Sequence, residues 1–457
     1  MQRLLLLALL GLALAPAACG GQKAAPAGRT PLGSPPAGPV TIDLWHSEQA
    51  ANLETLERLA DRFNASQVAV RVRAVYQGNE EETLTKLMGS LASGDAPAIV
   101  LLPEPYVQRL VDSGAVTPVQ DFIDHENYDV GDLDPRAVQY YTVDDKLWSM
   151  PLCAGVALLY YNKTAFREAG LDPERPPGDL EELRQYSEKI LRRDESGQVT
   201  RSGIAIDIQD WTERVLAAHG DLFVDNNNGR DGRATKVLFD NDTGRRFFQW
   251  WHDMVEDGLA INVGRNPTFV EGFLAMASGR AAMTFSYSSA LRSVEDALEE
   301  GVQGVEIGVG PLPGVPGGTG ASLLLGRGLW VLEGRPAEEK VVAWQFIKWL
   351  MEPEQQAEWF AGTGFLPVSR SAVDLPAAQD VLNRYPEFRV ALDLYLGIPA
   401  TPATLGALLG PIREVREPLW RAVEQMLTGS ADPVEALEAA AAEADRTIED
   451  YNRRVKD

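Results

Sequence analysis

From residue 40 to residue 102 the apolar positions switch back and forth between the strand period of two and the helix period of about 3.6, a pattern that few architectures accommodate. Val40-Thr-Ile-Asp-Leu-Trp45 alternates as a strand does, and Glu48 to Ala65 then sets Leu53, Leu56, Leu59, Ala60 and Phe63 on one helical face. Val68 to Val75 alternates again, and Glu80 to Leu91 carries Leu84, Leu87, Met88 and Leu91 at helical spacing. Ala98-Ile-Val-Leu-Leu102 reads as a short buried strand. Strands alternating with helices imply an α/β fold with a mostly parallel sheet. In open sheets of that kind ligands lie beyond the carboxyl ends of the strands. The loops of interest are therefore the polar ones, His46-Ser47-Glu48, Gln77-Gly78-Asn79-Glu80 and Pro103-Glu104.

The rest of the chain predicts two lobes joined by several crossings. Leu147 to Tyr161, interrupted by Pro151 and Gly155, reads as two extended pieces with a bend, and one crossing is placed there. Lys163 to Arg280 is mainly helical in pattern, with a turn at Asp225-Asn-Asn-Asn-Gly229 and a helix bearing Phe247, Phe248, Trp250 and Trp251. Ala281 to Tyr287 reads as a strand returning toward the first lobe, and Val305 to Val309 as another. Helices are expected from Pro336 to Met351 and from Pro433 to Val455, the second capped by Asp432. The expected division is 40–151 plus 286–330 for an N-terminal lobe and 152–285 plus 331–457 for a C-terminal lobe. No repeat of fixed period is found.

The first residues speak to compartment. Met1-Gln2-Arg3 precedes the apolar run Leu4 to Ala15, which has a signal peptide's plan over residues 1–18 and is shorter than the roughly 20 residues a membrane-spanning helix needs. Ala17 and Ala18 precede Cys19 as in a bacterial lipobox, so Cys19 is expected to be lipidated and residues 19–39, rich in Pro, Gly, Ala and Ser, to form a tether. Pro16 stands where a lipobox has an aliphatic residue, and an ordinary cleaved leader is the alternative. The expectation is an exported monomer, held by lipid to the outer face of the cytoplasmic membrane or periplasmic. The formal net charge of −24 opposes nucleic-acid and anionic-membrane binding. Cys153, the other cysteine, is expected as a small buried hydrophobe.

A set of short strings then carries a resemblance: Leu-Trp-His-Ser (44 to 47), Arg-Phe-Asn-Ala (62 to 65), Tyr-x-Gly-Asn (76 to 79), Ala-Pro-Ala-Ile (96 to 99), Leu-Tyr-Tyr-Asn-Lys (159 to 163), Ala-Gly-Leu-Asp-Pro-Glu (169 to 174), Leu-Trp-Val (329 to 331) and Thr-Gly-Phe-Leu-Pro (363 to 367). In this order they resemble the carbohydrate-type solute-binding proteins of ABC importers, nearest those for glycerol-3-phosphate and glycerophosphodiesters. The resemblance implies a type II periplasmic-binding-protein fold, two α/β lobes about a cleft that closes on a small ligand. It also implies recognition of the closed form by a permease and, through it, an ATPase.

Carried over residue by residue, the resemblance makes Glu104 an acceptor for ligand hydroxyls, with a helix-terminal carboxylate as the other reading. Trp45, His46 and Ser47 follow the first strand, where an aromatic ring can stack on a sugar or cover an ammonium group. Trp211 falls in the region of a Trp-bearing cleft loop. One of Ser286, Tyr287, Ser288 and Ser289 is expected at the ligand, Gly326 brings backbone close to it, and Phe365 keeps the ring but not the hydroxyl of a family tyrosine. Three departures thin the phosphate chemistry: Glu80 replaces a tyrosine, Ala154-Gly155 replace a serine pair, and the C-terminal arginine falls on Leu405. Glu80 beside Glu104 would repel a dianion. Arg413 or Arg327 could stand in for the missing arginine.

These changes suit a phosphodiester such as glycerophosphocholine, or equally a neutral oligosaccharide. Catalysis is not expected. Glu80 and Glu104 could pair as in a glycosidase, but no Gly-x-Ser-x-Gly elbow or Gly-Lys-Ser/Thr phosphate loop occurs. His46, His125, His219 and His252 are too scattered for a zinc site, and no cofactor is expected. A sensor lipoprotein that feeds no permease is the third reading.

Overall fold

The computed structural model describes residues 38–265, 270–301, 305–318, 320 and 323–456. The leader, Cys19 and nearly all of the tether lie outside the described residues.

The period switch at the start of the chain becomes strand Val40–His46, helix Ala50–Ser66, strand Val70–Tyr76, helix Glu80–Ser93 and strand Ile99–Pro103. The first strand pairs in parallel with both others. Leu56, Leu59, Ala60 and Phe63 of the first helix are buried, and full burial of one Leu or Phe contributes roughly 1.5–3 kcal/mol. The second helix starts in a capping box: Asn79 accepts the Glu82 N–H at 3.0 Å, and the Glu82 carboxylate accepts the Asn79 N–H at 3.0 Å.

Two sheets form the centres of two lobes. The first runs in the order Leu366–Pro367, Met150–Gly155, Leu325–Leu332, Ile99–Pro103, Val40–His46, Val70–Tyr76, with Val116–Thr117 also paired to Leu325–Leu332. The second runs Ala260–Asn262, Val199–Ile206, Ala281–Tyr287, Ala157–Asn162, Ile307–Pro311, with Arg192–Arg193 added to Val199–Ile206. Helices Asp242–Glu256, Ile412–Leu427 and Pro433–Lys456 pack on one another beside the second sheet. Asp432 caps the last of these, accepting the Val434 N–H at 2.9 Å.

The chain bends between sheets at Gly155-Val156-Ala157, inside the stretch where a crossing was expected. Val156 is clasped by the second crossing: its carbonyl accepts the Ser288 N–H at 2.9 Å and its N–H donates to the Ser288 Oγ at 3.3 Å. A Cβ on Gly155 would lie 2.7 Å from the Leu325 Cδ1, so the crossing strands meet too closely for a larger residue.

Sheet pairing divides the chain differently from the expected boundaries. Ala281–Tyr287 does not return to the first sheet but pairs with Ala157–Asn162 and Val199–Ile206 in the second. The strand expected at Val305 to Val309 runs Ile307–Pro311 and is also in the second sheet. Residues after 330 do not go over to the C-terminal lobe at once: Leu325–Leu332 and Leu366–Pro367 are first-sheet strands, and helices Ala337–Leu350 and Pro353–Thr363 pack on the first sheet's own elements. Apolar strands of this length look alike in sequence, and only their pairing assigns them to a sheet.

Candidate functional site

Three carboxylates stand at the carboxyl ends of the three parallel strands. Glu48 follows Val40–His46, Glu80 opens the helix after Val70–Tyr76, and Glu104 follows Ile99–Pro103. Arg327 reaches the same edge because its strand runs antiparallel, setting Arg327 opposite Pro103. Its guanidinium lies 2.7 Å from Glu48 and 2.9 Å from Glu80, and 5.4 Å from the centre of the Phe365 ring. Burial works against the arginine's charge, but the two carboxylates outweigh it and hold its pKa above the usual value. Burial, then Arg327, pushes His46 down to about 4, so the imidazole is neutral near pH 7. Its Nδ1 accepts the Glu48 N–H at 3.2 Å, which puts the ring proton on Nε2. That Nε2 and the Ser47 Oγ are buried with no hydrogen-bond partner.

Glu104 lines a small cavity together with Tyr140, Tyr141, Ala154, Gly326 and Tyr395. The carboxylate accepts the Gly326 N–H at 3.0 Å. Burial raises its pKa to about 7 against the opposing pull of Arg214 and the Gly326 N–H, so near neutral pH it both accepts and donates. A Cβ at Gly326 would fall 2.4 Å from the Cys153 carbonyl oxygen, and only glycine allows this close strand approach. The Tyr141 hydroxyl is buried and has no partner.

The second lobe supplies a wall of alternating charge from the carboxyl end of Val199–Ile206 and the helix Trp211–His219. Asp210 pairs with Arg214 at 2.7 Å and Arg416 with Glu213 at 2.6 Å. Burial would raise the Asp210 pKa, but Arg214 and Arg416 outweigh it and bring it to about 2. The Tyr287 hydroxyl donates to Asp210, the Arg214 guanidinium lies 4.7 Å from the Tyr287 ring centre, and Trp211 stacks on the same ring at 5.3 Å. The Trp211 Nε1–H donates to the Asp207 carboxylate at 2.9 Å. Burial pushes Asp207 up to about 7 in spite of that bond.

Of the expected residues, the structure brings Glu104, Gly326, Glu80 and Phe365 to one edge, with His46 and Ser47 beside them. The repulsion of a dianion expected from Glu80 is offset in part, because Arg327 pairs with Glu80 as well as with Glu48. Trp211 is fully buried with one face on Tyr287, so it buttresses the wall and does not cover a ligand. Arg413 stands exposed on the rim in a 2.8 Å pair with Glu81 and does not replace the missing arginine. Trp45 is half-buried against the first lobe's core. Ser286 is buried with an unpartnered Oγ, and Ser288 serves the crossing. Leu405 is buried, and its carbonyl accepts from Arg230 at 2.7 Å. Cys153 is a buried free thiol, its pKa raised by burial. Among the described residues no His, Cys, Asp and Glu group could hold a metal ion, and no helix is long and apolar enough to cross a membrane.

Sequence reasoning missed Tyr140, Tyr141, Asp210, Glu213, Arg214 and Arg416. The Asp210 to Arg214 spacing of four was the one local signal. Arg416 reaches its partners from two hundred residues further along the chain.

Over residues 58–389, more than half of its length, the chain matches the family described as bacterial extracellular solute-binding protein. The chain belongs to that family. Among bacterial extracellular solute-binding proteins it is 30% identical over 427 residues to the sn-glycerol-3-phosphate-binding periplasmic protein UgpB of Salmonella typhimurium, covering 91% of this chain and 94% of the relative. The Pectobacterium atrosepticum protein of the same name is 30% identical over 425 residues, covering 91% and 93%. The cyclic alpha-maltosyl-1,6-maltose binding protein from Arthrobacter globiformis superposes with a TM-score of 0.71 at 25% identity, covering 90% of this chain and 100% of that one. UgpB from Mycobacterium tuberculosis, solved with glycerophosphocholine, gives 0.75 at 21% identity, covering 91% and 100%, which speaks to the fold. The two-lobed α/β fold expected from the sequence is the fold of these neighbours.

Proposed function

We propose that this solute-binding protein captures a glycerol phosphodiester, or a related polyol phosphate, between its lobes and hands it to an ABC permease, with no catalysis of its own. The observation that carries the reading is Glu104, a buried carboxyl fixed by the Gly326 N–H in the wall of a tyrosine-lined cavity. Such a group accepts from glycerol hydroxyls when ionised and donates to a phosphate oxygen when protonated. The pairing of Glu80 with Arg327 supports it by offsetting part of the charge that would repel phosphate. The names of the 30%-identical relatives point the same way. A neutral oligosaccharide is the second reading, favoured by the tyrosines around the cavity and by the Arthrobacter neighbour. Anchoring through Cys19 belongs to the same proposal, and loss of a Cys19→Ser variant from the membrane fraction checks it.

Calorimetry with glycerophosphocholine, sn-glycerol-3-phosphate and maltotriose tests the ligand. The expected result is that a phosphorylated compound binds most tightly and that Glu104→Ala weakens it at least about tenfold, the worth of one charge-assisted hydrogen bond. Binding of maltotriose alone would overturn the phosphodiester reading. Unchanged affinity in Glu104→Ala would remove Glu104 from the site.

A further inference from the structure

Arg230 lies beside this cavity, and among the described residues no carboxylate answers its charge. Arg214, Arg327 and Arg416 each pair with aspartate or glutamate. The Arg230 Nη2 instead donates to two backbone carbonyls, Leu405 at 2.7 Å and Gly406 at 3.2 Å. Its Nε is buried with no hydrogen-bond partner, and its guanidinium lies 5.2 Å from the centre of the Tyr140 ring. Tyr140 lines the cavity beside Glu104, and its hydroxyl is 3.2 Å from where a Cβ on Gly406 would stand. The guanidinium thus lies against a ring that lines the cavity. Burial lowers its pKa, with only Tyr140 opposing.

The backbone before Arg230 is bent to place it. Asn226, Asn227, Asn228 and Gly229 are all left-handed, with φ of 50°, 61°, 59° and 75°. Non-glycine residues rarely adopt that region, and strain of this kind gathers at ligand clamps. The turn persists because Asn228 is buried and bonded on every side, accepting from the Phe223 and Val224 N–H groups and donating to the Pro402 carbonyl at 2.8 Å. It is thereby locked to the loop whose carbonyls hold Arg230.

We propose that Arg230, with the Tyr140 hydroxyl, is the anion-binding group of the cleft and takes an anionic oxygen of a phosphorylated polyol. The inference rests on the phosphodiester reading above. It gives the bound phosphate a cationic partner other than the arginines already paired with carboxylates, and it supplies the buried cation with a counter-charge only in the liganded state.

The test is calorimetry of the wild type, Arg230→Gln and Arg230→Lys with glycerophosphocholine, sn-glycerol-3-phosphate, glycerol and maltotriose. Glutamine keeps the aliphatic stem and a polar amide at the place of the arginine Nε but carries no charge, and its thermal denaturation checks the fold. The expected result is a loss of about 30-fold for the phosphorylated probe in Arg230→Gln, the range of a hydrogen bond to a charged group, with Arg230→Lys in between. A folded Gln variant that binds within threefold of the wild type overturns the inference and leaves the phosphodiester reading standing. A wild type that binds no phosphorylated probe overturns both. Should the Gln variant not fold, the Arg230 side-chain ¹⁵N resonances of the wild type decide: they are expected to shift when glycerophosphocholine is added, and unshifted resonances at saturation overturn the proposal.

Discussion

Glu104 makes this protein's stability depend on pH in a direction opposite to that of a salt-bridged carboxylate. Its pKa rises from 4.5 to about 7 on folding. Below pH 4.5 both folded and unfolded chains hold the proton and the group is neutral to stability. Between there and pH 7 the unfolded chain loses it while the folded chain keeps it, so stability falls as pH rises and levels off above 7. The shift corresponds to about 3 kcal/mol. Glu104→Gln is expected to be the more stable protein in urea at pH 7.5 and to match the wild type at pH 4.5. Asp207 and Glu295 are also raised to about 7, so the difference between the two proteins is the quantity to read. The carboxylates at the strand ends were legible because strand polarity places them there. Their charge balance was not, since Arg327 arrives from a strand more than two hundred residues away and pairs with both Glu48 and Glu80.

At the scale of elements, the left-handed turn Asn226–Gly229 is where sequence reading went furthest and then stopped. Three asparagines and a glycine are the residues that tolerate positive φ, so a turn was expected there. That the turn braces a loop at residues 402–408 could not be read, because the bracing depends on which side Asn228 faces. Asn228→Ala removes three buried hydrogen bonds and leaves an alanine at φ 59°. It is expected to destabilise the protein by about 3 kcal/mol, measured by denaturant unfolding, and to weaken ligand binding by loosening Arg230. A substitution at exposed Asn226 that tolerates the same backbone, Asn226→Gly, should leave stability within about 0.5 kcal/mol.

At the scale of the whole molecule the lobes meet along a polar rim opposite the crossings. From the first lobe, the Arg109 Nε donates to the Gly410 carbonyl at 3.0 Å, and Asp112 accepts from the Tyr451 hydroxyl at 2.9 Å and from the Arg233 guanidinium. Arg413 and Glu81 add an exposed pair. These contacts tie elements of the two lobes together and so favour an arrangement in which the lobes are held against each other. Asp112→Ala is expected to raise the radius of gyration of the ligand-free protein in small-angle scattering and to weaken ligand binding about fivefold, both from a shift toward the open form. An unchanged radius with unchanged affinity would show that the rim does not set the balance.

The pairing of Leu325–Leu332 between Ile99–Pro103 and Met150–Gly155 has a consequence for biogenesis. Until the ribosome has passed residue 332, the first sheet lacks the strand that joins its two sides, and the first lobe cannot be completed. Stable structure has to wait on contacts between residues far apart in the chain, which are slow to form. A nascent chain built in this order makes every strand of its second sheet before the first sheet can close.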